Sequence, residues 1–119
     1  MNYYVVGANW SGEKQHEDFY RRGYWEMGYD DSEQPRFAEM RDSMQPGDRI
    51  AIKSMDGQGA TTITIHAIGI VKEVFHKRVY IDWVFFPKPT RHVPSRGCLK
   101  TIHGPFKSDD SWVHEVFCI

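Results

Sequence analysis

The chain has 119 residues, 40% of them apolar and 26% charged, with a net charge of −1. That length suits a single domain, residues 1–119, able to bury about two thirds of the surface its unfolded form exposes. No apolar run approaches the ~18 residues of a membrane span, and residues 1–6 lack the basic region and apolar core of a secretory signal. A soluble, cytoplasmic protein with no membrane partner is therefore expected, with Cys98 and Cys118 reduced.

In chain order, Tyr3-Tyr4-Val5-Val6 closed by Gly7 predicts a short, buried strand. Residues 8–12, Ala-Asn-Trp-Ser-Gly, predict a loop carrying Trp10. Residues 13–22 predict a helix that buries Phe19 and Tyr20, with Gly23 as its C-terminal stop. The stretch from Gly23 to Tyr29 is aromatic, but glycine punctuates it too often for a buried strand. Asp31-Ser32 then offer an N-cap and Pro35 a first turn for a second helix, whose Phe37, Met40 and Met44 share one core-facing side.

Pro46-Gly47 is the pair a type II turn requires, and it launches a strand at Arg49. Ile50 and Ile52 share one face of that strand, with Arg49, Ala51 and Lys53 on the other. After a glycine turn at residues 56–59, residues 61–74 give the strongest strand pattern in the chain. Ile63 and Ile65 lie on one face and Ile68 and Ile70 on the other, a change of phase near Gly69 that predicts a bulge. Residues 76–78 predict a turn. The strand from Val79 to Val84 places Val79, Ile81 and Trp83 on one side, with Tyr80 and Asp82 opposite, and runs on to Pro87.

Three prolines with Lys88, Arg91, His92 and Arg96 predict a long basic loop over residues 87–97. Residues 99–103 predict a short strand, and residues 112–117 a closing strand or a last turn of helix. The fold expected is mixed α/β (α+β), a strongly curved five- or six-stranded sheet approaching a closed barrel, with two helices before Arg49.

Charge is segregated along the chain. Residues 1–71 hold 7 Lys/Arg against 11 Asp/Glu, residues 72–107 hold 8 against 2, and residues 108–119 none against 3. A basic segment in an otherwise acidic chain builds a local surface for a polyanion, unless folding disperses it.

No nucleophile elbow, phosphate loop or dinucleotide fingerprint is present. The six histidines are scattered and the two cysteines form no Cys-x-x-Cys, so neither an enzyme nor a metal or cofactor site is indicated. What stands out is aromatic: Trp10, Tyr24, Trp25 and Tyr29 fall outside the periodic strands. Aromatic faces stacked on bases are worth about 1–3 kcal/mol each, comparable to the few kcal/mol needed to flip a base out of a duplex.

The order strand, loop Trp, helix, Gly-x-Trp, helix, Pro-Gly-Asp-Arg-Ile-Ala-Ile-Lys-Ser, Ile-x-Ala-Ile-Gly-Ile-Val and Val-x-Ile-x-Trp resembles the PUA-like superfamily over about residues 3–86. It is most similar to EVE-type domains and their YTH relatives, in the versions found in McrB-type modification-dependent restriction systems. The resemblance implies a small β-barrel flanked by helices that binds a modified, flipped base of DNA or RNA in an aromatic cage.

By that resemblance Trp25 walls the base pocket, beside Tyr24. Asn9 and Trp10 fall on the loop after the first strand, Lys53 and Ser54 end the strand lining the pocket, and Trp83 is a further candidate that fits the barrel interior equally well. Lys88, Arg91, Arg96 and Lys100 of the basic segment would meet phosphates. The chain carries no nuclease or NTPase motif, so restriction would need a separate effector protein. Two alternatives stay open: an RNA-binding or RNA-processing accessory domain indifferent to modification, and a small-molecule sensor or hydrolase using the same pocket.

Overall fold

The computed structural model describes residues 1–10 and 13–119, apart from the side chains of residues 9, 10, 13 and 14. The expected roles of the Asn9 and Trp10 side chains therefore lie outside the described residues. The strands are β1 (Tyr3–Gly7), β2 (Asn9–Trp10), β3 (Glu13–Lys14), β4 (Tyr24–Trp25), β5 (Arg49–Met55), β6 (Thr62–Phe75), β7 (Arg78–Phe85), β8 (Arg91–Pro94) and β9 (Ile102–Phe106). The helices are α1 (His16–Arg22), α2 (Pro35–Asp42) and α3 (Ser111–Phe117), and none is long and apolar enough to cross a membrane.

Seven strands form one mixed sheet in the order β4-β7-β6-β5-β1-β9, with β8 also paired to β6, while β2 and β3 pair separately. Among the described residues only β1 and β5 run parallel. The sheet is α+β as expected, but it has seven strands rather than five or six. It does not close into a barrel, because its end strands β4 and β9 are not partners. The physical reason lies in its faces. Along β1, Tyr4 and Val6 belong to a core cluster that takes in Phe19 of α1 and Ala38 of α2, whereas Tyr3 and Val5 belong to a second cluster with Trp112, Val113 and Val116 of α3. With helices covering both faces, the sheet hides its apolar surface without curling onto itself.

The turn before β5 forms as predicted. Gly47 has φ 94°, Asp48 N–H donates to the Gln45 carbonyl at 3.0 Å, and the Asp48 carboxylate accepts from Gln45 N and Asn2 N, both at 2.9 Å. Gly23 caps α1 at φ 72°, donating to the Phe19 carbonyl.

Other elements differ from expectation for reasons of pairing. Residues 13–14, expected to be helical, pair as β3 with Asn9 and Trp10 of the expected loop. Tyr24 and Trp25 pair with Tyr80 and Val79 of β7. The expected basic loop contains β8, held in register by residues 62–65 of β6. Helix α2 begins at Pro35 after Gln34, without a cap from Asp31 or Ser32. The expected strand at residues 99–103 is β9, displaced to Ile102–Phe106, and the chain ends in α3, whose first turn is capped where the Asp110 carboxylate accepts from Trp112 N at 3.0 Å.

The break near Gly69 is a bulge of β7 rather than of β6, with Val84 the extra residue opposite Ile68 and Gly69. β6 itself bulges at Lys72 against β7 and once against β5. In the β5 pairing the register steps from Ile52↔Ala67 to Lys53↔Ile65, leaving His66 as the extra residue. That residue restores the phase. Ile68 therefore buries in the same cluster as Ile63 and Ile65, not on the opposite face that strict alternation predicts.

Candidate functional site

Gly7 stands opposite Lys53 where the parallel pair β1 and β5 ends. Its N–H donates to the Thr101 carbonyl at 2.8 Å, and its carbonyl accepts the Trp25 indole N–H at 2.7 Å. Both bonds fix the floor of an open groove of about 560 Å³. One wall is the end of β5, Lys53 to Met55; the other is built from Tyr29, Gln34 and Phe37 before and within α2. Leu99, Lys100 and Thr101 close one end and His16 of α1 contributes as well. No carboxylate lines the groove among the described residues.

The polar groups are held from behind. The extra residue of the β6 bulge, His66, turns its Nε2 to within 2.7 Å of Ser54 Oγ, and its ring lies 4.7 Å from that of His16. Lys53 is 5% exposed, and its ammonium has neither an ion pair nor a hydrogen bond among the described residues. Burial pushes its pKa below the usual lysine value, a shift that Cys98 partly opposes. Burial, then the Lys53 charge, likewise hold the neighbouring His103 below the usual histidine value, and burial raises the Cys98 thiol. Tyr29 is 46% exposed and presents a free aromatic face; Phe37 is partly buried against the core.

The groove thus brings together Lys53, Ser54 and Lys100 of the residues singled out in the sequence. Tyr24, Trp25, Trp83, Lys88, Arg91 and Arg96 are not among the groove's lining residues. Trp25 has no exposed surface and packs in the first core cluster beneath Gly7, so a base could stack on it only if the ring were uncovered. Tyr24 is covered by the Arg78 guanidinium, 4.3 Å from its ring centre. Trp83 donates from Nε1 to the Phe19 carbonyl at 2.9 Å and meets Tyr20 edge-on.

The basic segment is largely engaged within the fold. Arg91 donates to the Glu115 carbonyl at 3.1 and 2.6 Å, and Arg96 pairs with Asp110 at 2.6 Å while lying over Trp112. Lys72 and Lys77 approach Asp82 and Asp30, Arg78 pairs with Glu26, and Lys107 bonds Asn2. The side chains of Lys88 and Lys100 have no such partner among the described residues, and Lys88 is outside the groove.

Tyr29, Gln34, Phe37, His16 and Thr101 were not picked out as site residues from sequence. Tyr29 carried a signal as an aromatic outside any periodic strand, whereas Phe37 fits a core-facing helix position and Gln34 and Thr101 have no distinguishing pattern. Among the described residues no three His, Cys, Asp or Glu side chains gather as a metal site. No protein-family model matches the chain, and no curated protein does.

Proposed function

We propose that the groove receives a modified base of a nucleic acid and that the protein is a reader that binds without catalysis. The observation that carries this reading is the groove's composition: an exposed aromatic ring at Tyr29 and a partly buried one at Phe37, an amide at Gln34 and a hydroxyl at Ser54, two lysines and, among the described residues, no carboxylate, in about 560 Å³. That volume falls within the ~300–1,000 Å³ of small-ligand sites. The rings supply stacking surface, the amide and hydroxyl can address a base edge, and Lys100 at the rim faces the backbone. Trp25 serves from below, holding the Gly7 carbonyl and so the floor.

In this reading the domain is a PUA-like relative of EVE and YTH modules, with a sheet more open than a barrel and helices on both faces. Its output passes to a separate nuclease or NTPase effector. Matched oligonucleotides with and without 5-methylcytosine or N6-methyladenine, in DNA and RNA and in single and double strands, test the reading. Preference for one modified member, lost in Tyr29→Ala, supports it. Equal, salt-controlled affinity for every member would instead favour an RNA-binding accessory indifferent to modification.

A further inference from the structure

Among the described residues two cationic side chains are buried, Arg41 at 2% and Lys53 at 5% exposure, and they are treated in opposite ways. Arg41 is answered in full: its two terminal nitrogens donate to Asp31 at 2.8 and 2.9 Å, and its Nε donates to Asp42 at 2.9 Å. Lys53 has no ion pair or hydrogen bond among the described residues. Its stem packs beside Gly7, where an added Cβ would already lie 4.0 Å from Lys53 Cε, and beside the second core cluster near Cys98. Lys53 and Lys100 both line the groove, and among the described residues no carboxylate does.

Burial of most of the Lys53 side chain disfavours its charged form, while the ammonium, which is not among the buried polar atoms left without a partner, stays open to water and so to an anion. A lysine placed only for packing would be served as well by methionine, which fills the same stem volume without a charge. The neutral polar neighbours Ser54, Thr101 and Gln34 are suited to the remaining oxygens of an anion.

We infer that the counter-ion of Lys53 arrives with the ligand: the groove takes a whole nucleotide, its phosphate seated against the Lys53 ammonium with Lys100 closing from the rim and its base between Tyr29 and Phe37. This deepens the proposed reading and rests on it for the base, while the anion seat stands on Lys53 alone. The phosphate has three sources: a free mononucleotide, the terminal phosphate of a strand, or the phosphodiester beside a base flipped from within one.

The test uses the intact chain, its Lys53→Met variant and four probes: inorganic phosphate, a pyrimidine deoxynucleoside, its 5′-monophosphate, and one short oligonucleotide with and without a 5′-phosphate. Binding is followed by calorimetry and by the Lys53 Cε–Hε resonances. The monophosphate is expected to bind at least about tenfold more tightly than the nucleoside, the gain of one charge-assisted contact. Inorganic phosphate should shift the Lys53 resonances by itself. Lys53→Met should abolish the tenfold gain while melting no lower than the natural chain, which separates loss of the seat from loss of the fold.

A preference for the phosphorylated oligonucleotide assigns the site to strand ends. With the monophosphate gain intact, equal affinity for both oligonucleotides assigns it to phosphodiesters within a strand when they bind at least as tightly as the monophosphate, and to free nucleotides when they bind more weakly. Equal affinity for nucleoside and monophosphate, a gain that survives Lys53→Met, or Lys53 resonances that no probe moves would each overturn the inference. Failure of the modified-base panel with the phosphate gain intact would remove the reader and leave the anion seat.

Discussion

The Ser54 hydroxyl lies 2.7 Å from Nε2 of His66, the one residue by which β6 exceeds β5 between Ile52 and Lys53. The bulge therefore does two things at once. It aims an imidazole at the groove wall, and it returns Ile68 to the face that already buries Ile63 and Ile65. Removing the side chain and removing the residue should then differ sharply. His66→Ala loses the bond to Ser54 and is expected to cost about 1 kcal/mol. Deleting His66 slips the register, which turns the isoleucines on one side of it to the wrong face. The deletion variant should show no cooperative urea transition, whereas His66→Ala keeps one. A deletion variant as stable as His66→Ala would mean that β6 tolerates either phase.

At Gly69 the chains of β6 and β7 approach too closely for a side chain. An added Cβ would lie 2.3 Å from Ile81 Cγ2 and 3.0 Å from both the Asp82 carbonyl and the Trp83 ring. Ile81 is 2% exposed and Trp83 is tied by its indole to Phe19, so neither has room to retreat. Gly69→Ala is expected to destabilise by about 1–3 kcal/mol, read as a lower urea midpoint with unchanged slope. A neutral result would mean that the pair of strands can separate locally.

The Tyr20 hydroxyl is buried without a hydrogen-bond partner among the described residues, and burial raises its pKa from 10.0 to about 12. A phenol whose folded pKa lies above its unfolded value contributes stability fully below pH 10.0, and that contribution is lost as pH rises toward about 12. Tyr20→Phe removes an unpaired polar atom, so it is expected to be neutral or stabilising by up to ~1 kcal/mol at neutral pH. Its stability should also fall less steeply across that alkaline window. Thermal melts of both proteins on either side of pH 10 check the sign. A clear loss on Tyr20→Phe at neutral pH would show that the hydroxyl has a partner.

What was legible in the sequence has local causes. The turn at Gln45 to Asp48 follows from Pro and Gly in fixed order, the end of α1 from Gly23, and the hairpin between β6 and β7 from periodicity that resumes after a short break. What was not legible depends on partners distant in the chain. Trp25 reads as an aromatic in a glycine-rich loop, yet two residues suffice for β4 because β7 supplies the pairing. The bulge at His66 exists only in relation to β5. Lys53 alternates as an outward position, yet it is 5% exposed because Gly7 of β1 and Cys98 lie beside it. The basic loop is bound by partners up and down the chain, which composition alone does not show.

Arg96 and Lys100 stand four positions apart in that segment, and the fold gives them opposite tasks. Arg96 pairs with Asp110, the residue that caps α3, and lies 5.4 Å from the centre of the Trp112 ring. Lys100 is exposed at the groove and its side chain has no partner among the described residues. In the proposed reader, Lys100→Ala should therefore weaken modified and unmodified oligonucleotides alike. It should also lower the slope of log affinity against log salt by up to about one unit. Its melting temperature should stay close to that of the natural chain, as for most surface substitutions within about 0.5 kcal/mol. Arg96→Ala should behave in the reverse manner. It should cost up to about 1 kcal/mol of stability, since the pair is partly exposed, and leave the salt slope unchanged. Titrations at several salt concentrations with parallel melts decide the matter. If the slope falls in Arg96→Ala and not in Lys100→Ala, the nucleic acid runs over α3 and away from the groove, and the site must be sought on that face.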